Sequence, residues 1–434
     1  MEEKFLYHIW DAGHVCSNLR TVSGKTLQIK YQGQYNTFRG PDFVNSIIEL
    51  DGEDLRGAVE IHLNTQDWLR HSHHEDQYYN QVVLHVVLDH NGKGLHTVKE
   101  NGELAEILEL KDQLSDDIRK LIVDIGDNQL RSGDTYCDLL SAIDNDRLFA
   151  ILSLHGRQRF MGKVRRFNAA LSFSNFDQIL YEGMMEAAGY DKNKLNLLQL
   201  AQSVTFADLK DWHERNMDCV AMISILSSSS GLLGKSKNRL ENVLYESLMK
   251  AYELQAFHAR KVNIDWQLFR IRPGNHPMFR LIMLSEFIHT CLKDGLLNRF
   301  LHEVERGNTM PADRYKRFSK LFSTATDLNL LKAKSLGKTV INNIFLNIYL
   351  PIMYLYAQKM NDAAMAISLM ESWEAFGALE ENYVTRFMCR HINPSQVSSV
   401  NKRSLYQQGL IDIFYRTCRY HLCEQCKEQS LSDV

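Results

Sequence analysis

Residues 40–63 read GPDFVNSIIELDGEDLRGAVEIHL, and this stretch decides the fold. Two apolar-rich arms, Phe43 to Leu50 and Leu55 to Leu63, flank Asp51-Gly52, the dipeptide that best tolerates the positive φ of a tight hairpin turn. Side chains alternate along a strand, so Glu60 and His62 face one way while Val59 and Ile61 face the other. Pro41-Asp42 places a carboxylate at the mouth of the first arm. Neighbouring strands lie about 4.8 Å apart, so Asp42 can meet Glu60 where the register allows. Two carboxylates at that range repel unless a divalent cation sits between them, the arrangement by which hydrolases hold Mg²⁺ for attack on a phosphodiester. A competing reading makes Asp42 a turn cap after Pro41 and puts Glu60 and His62 on a solvated hairpin face.

Around the hairpin, Glu2 to Trp10 suits a short helix, Thr26 to Tyr31 alternates as a strand, and Gln81 to Asp89 reads as a buried strand. From Ser115-Asp116-Asp117, a cap followed by first-turn acids, helical periodicity takes over. It predicts helices over 145–171, 176–188, 195–202, 206–215, 239–258, 276–292, 339–360, 362–376 and 404–418. Ser227 to Ser230, with Gly231 and Gly234, reads as a flexible loop. The expected fold class is therefore α+β or α/β: a mixed sheet with flanking helices over residues 1–114, then a large all-α domain over 115–434.

The 434 residues suffice for two or three domains, and 44% hydrophobic with 24% charged residues excludes a disordered or low-complexity chain. The net charge of −3 excludes a globally basic nucleic-acid binder. Residues 1–114 carry 10 Lys and Arg against 18 Asp and Glu, and the remainder 40 against 35, so any phosphate contact must be local. Met1-Glu2-Glu3-Lys4-Phe5 lacks the pattern of a secretory signal, and the eight mostly scattered cysteines suit a reducing compartment, so the expectation is cytoplasmic. Val340 to Ala357 is apolar but interrupted by Asn342, Asn343, Asn347 and Pro351, and reads as a buried core helix, with no membrane partner expected.

A hairpin with Pro-Asp on one strand and Glu-x-His on the next resembles the core of the PD-(D/E)xK, restriction-endonuclease-like nuclease superfamily over roughly residues 1–110. The resemblance implies Asp42 and Glu60 as ligands of Mg²⁺ or Mn²⁺; the motif's lysine position is His62 here, which suits a base or ligand rather than a fixed ammonium. After it comes Asp67-Trp68-Leu69-Arg70-His71-Ser72-His73-His74-Glu75-Asp76, dense in groups that ligate transition metals or move protons. His71 and His73 look similar in placement to histidines near the metal carboxylates of some mismatch-repair nucleases. The bland alternative is a hydrophilic loop with a helix cap. His85, inside an apolar strand, reads as a satisfied core histidine. Nearly the whole chain also resembles an uncharacterised bacterial domain-of-unknown-function family, through Gly40-Pro41-Asp42-Phe43, Val59-Glu60-Ile61-His62, Asp67-Trp68, His71-Ser72-His73, Leu84-His85-Val86-Val87, Arg270 to Asn275 with Arg280, and Gln408-Gly409-Leu410.

Three further patterns lie in the helical part. Arg157, Arg159, Lys163, Arg165 and Arg166 form a basic stripe able to neutralise phosphates, or a solvated helix face. Arg270 and Arg272 in the loop before Pro273-Gly274 can bind phosphate or pair with acids between helices. Cys418, Cys423 and Cys426, with His421, match the donor set of a structural Zn²⁺ site, against free thiols at a frayed terminus. The expected function is a metal-dependent nuclease, with His62, His71 or His73 orienting or activating water beside Asp42 and Glu60. The alternative is a non-catalytic nucleic-acid-binding module or a scaffold for a protein partner.

Overall fold

The computed structural model describes residues 3–115, 137–190, 192–255, 261–305, 311–322 and 336–420. The fold is mixed α+β, with an N-terminal mixed sheet and a large helical region. The chain divides into two compact units: Met1–Ser172 with Glu381–Val400 and Tyr406–Val434, and Phe173–Glu380 with Asn401–Leu405.

The first unit is built on eight strands: β1 (Leu19–Arg20), β2 (Thr26–Tyr31), β3 (Gln34–Tyr35), β4 (Phe43–Leu50), β5 (Glu53–Asn64), β6 (Val82–Asp89), β7 (His96–Val98) and β8 (Leu104–Glu109). Their order is β1-β2-β4-β5-β6-β8-β7, with β3 pairing β4. β4 and β5 form the expected antiparallel hairpin, turning through Asp51 (φ 49°) and Gly52 (φ 87°). β5 to β6 and β6 to β8 are parallel, so the sheet is mixed.

The hairpin contains one irregularity that sets the site. Near the turn Leu50 opposes Glu53 and Ser46 opposes Gly57, but further out Phe43 opposes Val59. Three steps on β4 thus match two on β5, a bulge in which Asn45 takes a left-handed conformation (φ 56°). Gly33 lets the neighbouring turn approach it: a Cβ there would lie 2.3 Å from Ser46 Oγ and 2.8 Å from the Val44 carbonyl, at a φ of +97°.

Helix α1 (Glu3–Ala12) presents Leu6, Ile9 and Trp10 to the sheet face carrying Phe43, Val59, Ile61, Leu84 and Val86. These positions follow the helical and strand periods and form one fully buried core. The opposite face carries Ala58 and Val82 against Trp68 and Tyr79. The same unit holds α3 (Asn145–Ala170) and, from Tyr406 on, α4 (Ser404–Arg416); the short α2 (Asp67–Arg70) precedes them in the chain. A Cβ on Gly409 would stand 2.2 Å from the Leu152 carbonyl, so α4 meets α3 where only glycine fits. Beside it Gln408 Oε1 accepts from Arg159 Nε at 2.9 Å and Lys163 Nζ at 3.1 Å.

The second unit is helical. Phe176–Ala188, Lys194–Ser203, Phe206–Glu214, Asn242–Gln255, Pro277–Cys291 and Ala363–Glu374 lie close to the spans that periodicity predicts. Ser227 to Ser229 do not form the expected loop: they end the buried helix Cys219–Ser229, and the Ser227 and Ser230 hydroxyls donate to the Ile223 and Leu226 carbonyls. Such back-bonding satisfies hydroxyls inside an apolar helix, where composition alone suggests a linker. Lys338–Lys359 is long and apolar enough to cross a membrane by length and composition, and 78% of its apolar window is buried inside the protein. A π-turn at Phe345–Tyr349 precedes Pro351, whose missing N–H interrupts the regular ladder.

Candidate functional site

The bulge places Asp42, just before Phe43, opposite Glu60. The Asp42 amide donates to Glu60 Oε2 at 3.0 Å, and the Ile61 amide donates to Asp42 Oδ2 at 2.9 Å. Tyr7 on α1 hydrogen-bonds the Asp42 carboxyl, and Glu3, one turn earlier, bonds Tyr7. Glu60 is only 5% exposed, so it does not occupy a solvated hairpin face. Burial, with the neighbouring Glu60 charge adding to it, pushes Asp42 up to about 8 against the donors from Ile61 and Tyr7. Burial likewise pushes Glu60 up to about 8, against the amide of Asp42. Tyr7 is raised far above its ordinary range by burial and by Asp42.

Three imidazoles gather on the same side. His62 follows Glu60 by two positions and is buried; its Nε2 lies 3.5 Å from Glu60 Oε1 and 3.1 Å from His71 Nδ1. His73 Nε2 lies 3.1 Å from Glu60 Oε1. The chain leaves β5 into α2, where buried Asp67 accepts from the Asn64 amide at 3.0 Å and tightens the turn. Ser72, at φ 60°, then reverses direction between His71 and His73, so both rings return to His62 with centroids 5.0 and 5.2 Å away. Tyr79 stacks on His73 at 3.8 Å and Trp68 meets it edge-on at 5.4 Å, fixing the ring plane. One nitrogen from each of His62, His71 and His73 lies within 4.8 Å of the others, a metal-ligand spacing.

Behind this cluster His62 Nδ1 sits 2.9 Å from His85 Nε2, and His85 Nδ1 sits 2.8 Å from Thr97 Oγ1. Burial first, then the facing rings of His85, His73 and His71, holds the His62 imidazole well below its usual range. Burial lowers His85 to about 3 and also lowers His73, the latter against the pull of Asp42. Burial thus favours the neutral form of His62, His73 and His85, the form in which imidazole binds metals.

His71 is exposed and reaches an open cleft of about 480 Å³, whose rim includes Ser72, Arg39 and Asp76. Arg39 pairs with Asp76 at 2.9 Å and stacks over Tyr78. The five hairpin and loop residues singled out by sequence, Asp42, Glu60, His62, His71 and His73, thus come together. The sequence reading missed Glu3, Tyr7, Tyr79 and the His85–Thr97 pair. Glu3 and Tyr7 are spaced i, i+4, one helix face, which is the signal that could have found them.

The remaining candidates lie elsewhere. On α3, Arg157 and Arg165 are exposed, Arg159 and Lys163 turn to Gln408, and Arg166 stacks over Tyr31 at 5.8 Å. Three of the five stripe residues therefore serve packing within the unit. In the second unit Arg270 and Arg272 are exposed, while the pinned residue is Arg280, donating to the Gly274 carbonyl at 3.1 Å and to Asn275 Oδ1 at 2.7 Å. Cys418 is partly buried, and His421, Cys423 and Cys426 lie outside the described residues.

Over residues 3–382 the chain matches the family model described as "Protein of unknown function (DUF2851)", and it belongs to that family. No curated protein and no solved structure gives a significant match.

Proposed function

We propose that this DUF2851 member is a metal-dependent phosphodiesterase of the nuclease kind. The observation that carries the reading is the hydrogen-bonded pairing of Asp42 with Glu60, both with raised pKa values, beside the imidazoles of His62, His71 and His73, of which His71 opens onto a cleft. Carboxyls held in this way cost stability unless a cation or a proton joins them. The resemblance of the hairpin to the PD-(D/E)xK core supports the same reading. A divalent ion bound there would supply Lewis acidity and lower the pKa of a coordinated water.

The chain's own groups divide the remaining work. Glu60 and Asp42 offer oxygens, and Tyr7 and the Ile61 amide fix how Asp42 is turned. His71, on the cleft side, is placed to exchange a proton with solvent or substrate. Arg39 at the rim provides a cation for a phosphate once Asp76 is displaced. The test is hydrolysis of an activated phosphodiester and of labelled DNA and RNA, comparing wild type with Asp42→Asn and Glu60→Gln. Loss of metal-dependent cleavage in both variants supports the reading; full activity in both removes it.

A second reading, a nucleic-acid-binding or protein-interaction module that does not cleave, draws on one observation. The strand position of the nuclease lysine carries His62, buried and neutral, so no ammonium faces a scissile phosphate there. Binding that weakens steeply with salt, without cleavage in any metal, would favour it.

A further inference from the structure

The Asp42–Glu60 pair alone would suit a hard cation, since Mg²⁺ takes oxygen donors and keeps several waters. The surrounding donors are of another kind. Reading along His71 Nδ1, His62 Nε2, Glu60 Oε1 and His73 Nε2, the successive separations are 3.1, 3.5 and 3.1 Å. Ligands at right angles or at tetrahedral angles on one ion, with bonds of about 2.0–2.1 Å, stand roughly 2.9–3.4 Å apart. We propose that His62, His71, His73 and Glu60 form a site for one first-row transition ion of the imidazole-binding class, Zn²⁺ among them, in preference to Mg²⁺. The site is shared with the hydrolase reading, and the proposal rests on that reading only for the ion's purpose.

Three observations support the assignment. First, the donor set is nitrogen-rich, and imidazole selects Zn, Cu, Fe and Ni where carboxylate and water select Mg and Ca. Second, His62 has the outer partner expected of a ligating histidine. With a proton on Nδ1 of each ring, His62 donates to His85 and His85 to Thr97, which turns the His62 Nε2 lone pair toward Glu60 and His71. Third, the geometry is held before any ion arrives. Tyr79 and Trp68 clamp His73, and Ser72 adopts a left-handed conformation to return both loop histidines to β5. With Asp42 and Glu60 ionised the pocket carries two negative charges, which a dication neutralises.

The full chain, stripped with a chelator, would be titrated with Co²⁺ as a spectroscopic probe and challenged with Zn²⁺ or Mg²⁺. A parallel chain carrying Cys418→Ser, Cys423→Ser and Cys426→Ser removes the three clustered thiols, whose ligation would announce itself as sulfur-to-cobalt charge transfer. The expected result is one equivalent of Co²⁺ with a visible d–d spectrum, displaced by Zn²⁺ and resistant to a large excess of Mg²⁺. His71→Ala, an exposed position that keeps the fold by circular dichroism, weakens binding at least tenfold. His85→Phe, which leaves every proposed ligand in place, weakens it about 10–100-fold. Asp42→Asn retains the spectrum. Displacement by Mg²⁺ as readily as by Zn²⁺, an unchanged spectrum in folded His71→Ala, or no binding by the chain lacking the three clustered thiols would overturn the proposal. Metal held by the histidines without phosphodiester cleavage keeps it and removes the hydrolase. Cleavage that needs Mg²⁺ and ignores the histidine variants does the reverse.

Discussion

Asp42 and Glu60 each take a hydrogen bond from the other's strand: the Asp42 amide binds the Glu60 carboxyl, and the Asp42 carboxyl binds the amide following Glu60. Neither acid can be moved without disturbing the backbone that carries the other. Geometry and chemistry can nevertheless be separated, because an amide side chain keeps an acceptor oxygen while losing the charge.

Glu60→Gln should therefore fold and keep its amide bond to Asp42, while metal-dependent hydrolysis falls about 10²–10⁴-fold. Glu60→Ala leaves the Asp42 amide without that acceptor and should also cost about 1–3 kcal/mol of stability. Urea unfolding beside a cleavage assay separates the two effects. Equal stability of the Gln and Ala variants would show that the hydrogen bond does not matter.

The raised carboxyls give the metal-free protein an unusual pH dependence. The folded state holds protons on Asp42 and Glu60 up to about pH 8, whereas the unfolded chain releases them near pH 4. The folded state thus binds more protons, and stability falls as pH rises through that window. Below pH 6.5 the depressed His62, His73 and His85 oppose this, because the unfolded chain takes up protons there. Between pH 7 and 9 the carboxyl effect should dominate. Unfolding midpoints in chelator should drop over that range in wild type and stay flatter in Asp42→Asn/Glu60→Gln.

Gly409→Ala sets a Cβ against the Leu152 carbonyl and should destabilise the first unit by about 1–3 kcal/mol or more. Thermal unfolding with tryptophan fluorescence as readout checks this. A neutral outcome would mean that α3 and α4 separate at low cost.

Tyr79→Leu removes the ring stacked on His73 but keeps an apolar residue against Trp68. Metal affinity should fall more than stability does, because the lost contact orients a donor. Calorimetric titration beside thermal melts measures both; a loss of stability alone would make Tyr79 core packing only.

The hairpin, β2 and most helix spans are legible in the sequence because each repeats apolar residues at the strand or helix period, and β6 because it is a long, nearly unbroken apolar run. β7 and β8 are not: β7 has three residues, and β8 is buried at four successive positions, 105 to 108, so neither alternates. Ser227 to Ser230 mislead because composition cannot show a hydroxyl bonded one turn back. Glu60 and His62 can be placed on one face by alternation alone, whereas Asp42 joins them only through the bulge. The return of His71 and His73 depends on the backbone of one serine, and the reach of Tyr7 on a tertiary contact, neither of which a period encodes. His85 reads correctly as a core residue, but its partner is a site residue, visible only once β5 and β6 lie side by side.

The bulge at Asn45 acts as a parity switch. On the turn side of it, odd and even positions of β4 point one way; beyond it they exchange, and only that exchange sets Asp42 over Glu60 instead of over Ile61. A relative lacking one residue between Phe43 and Ser46 would retain the letters Pro-Asp and Glu-x-His yet aim its aspartate into the apolar core. Motif letters in this family therefore count as a site only together with the number of residues separating them from the turn, and an alignment that closes such a gap would equate an intact centre with a dismantled one.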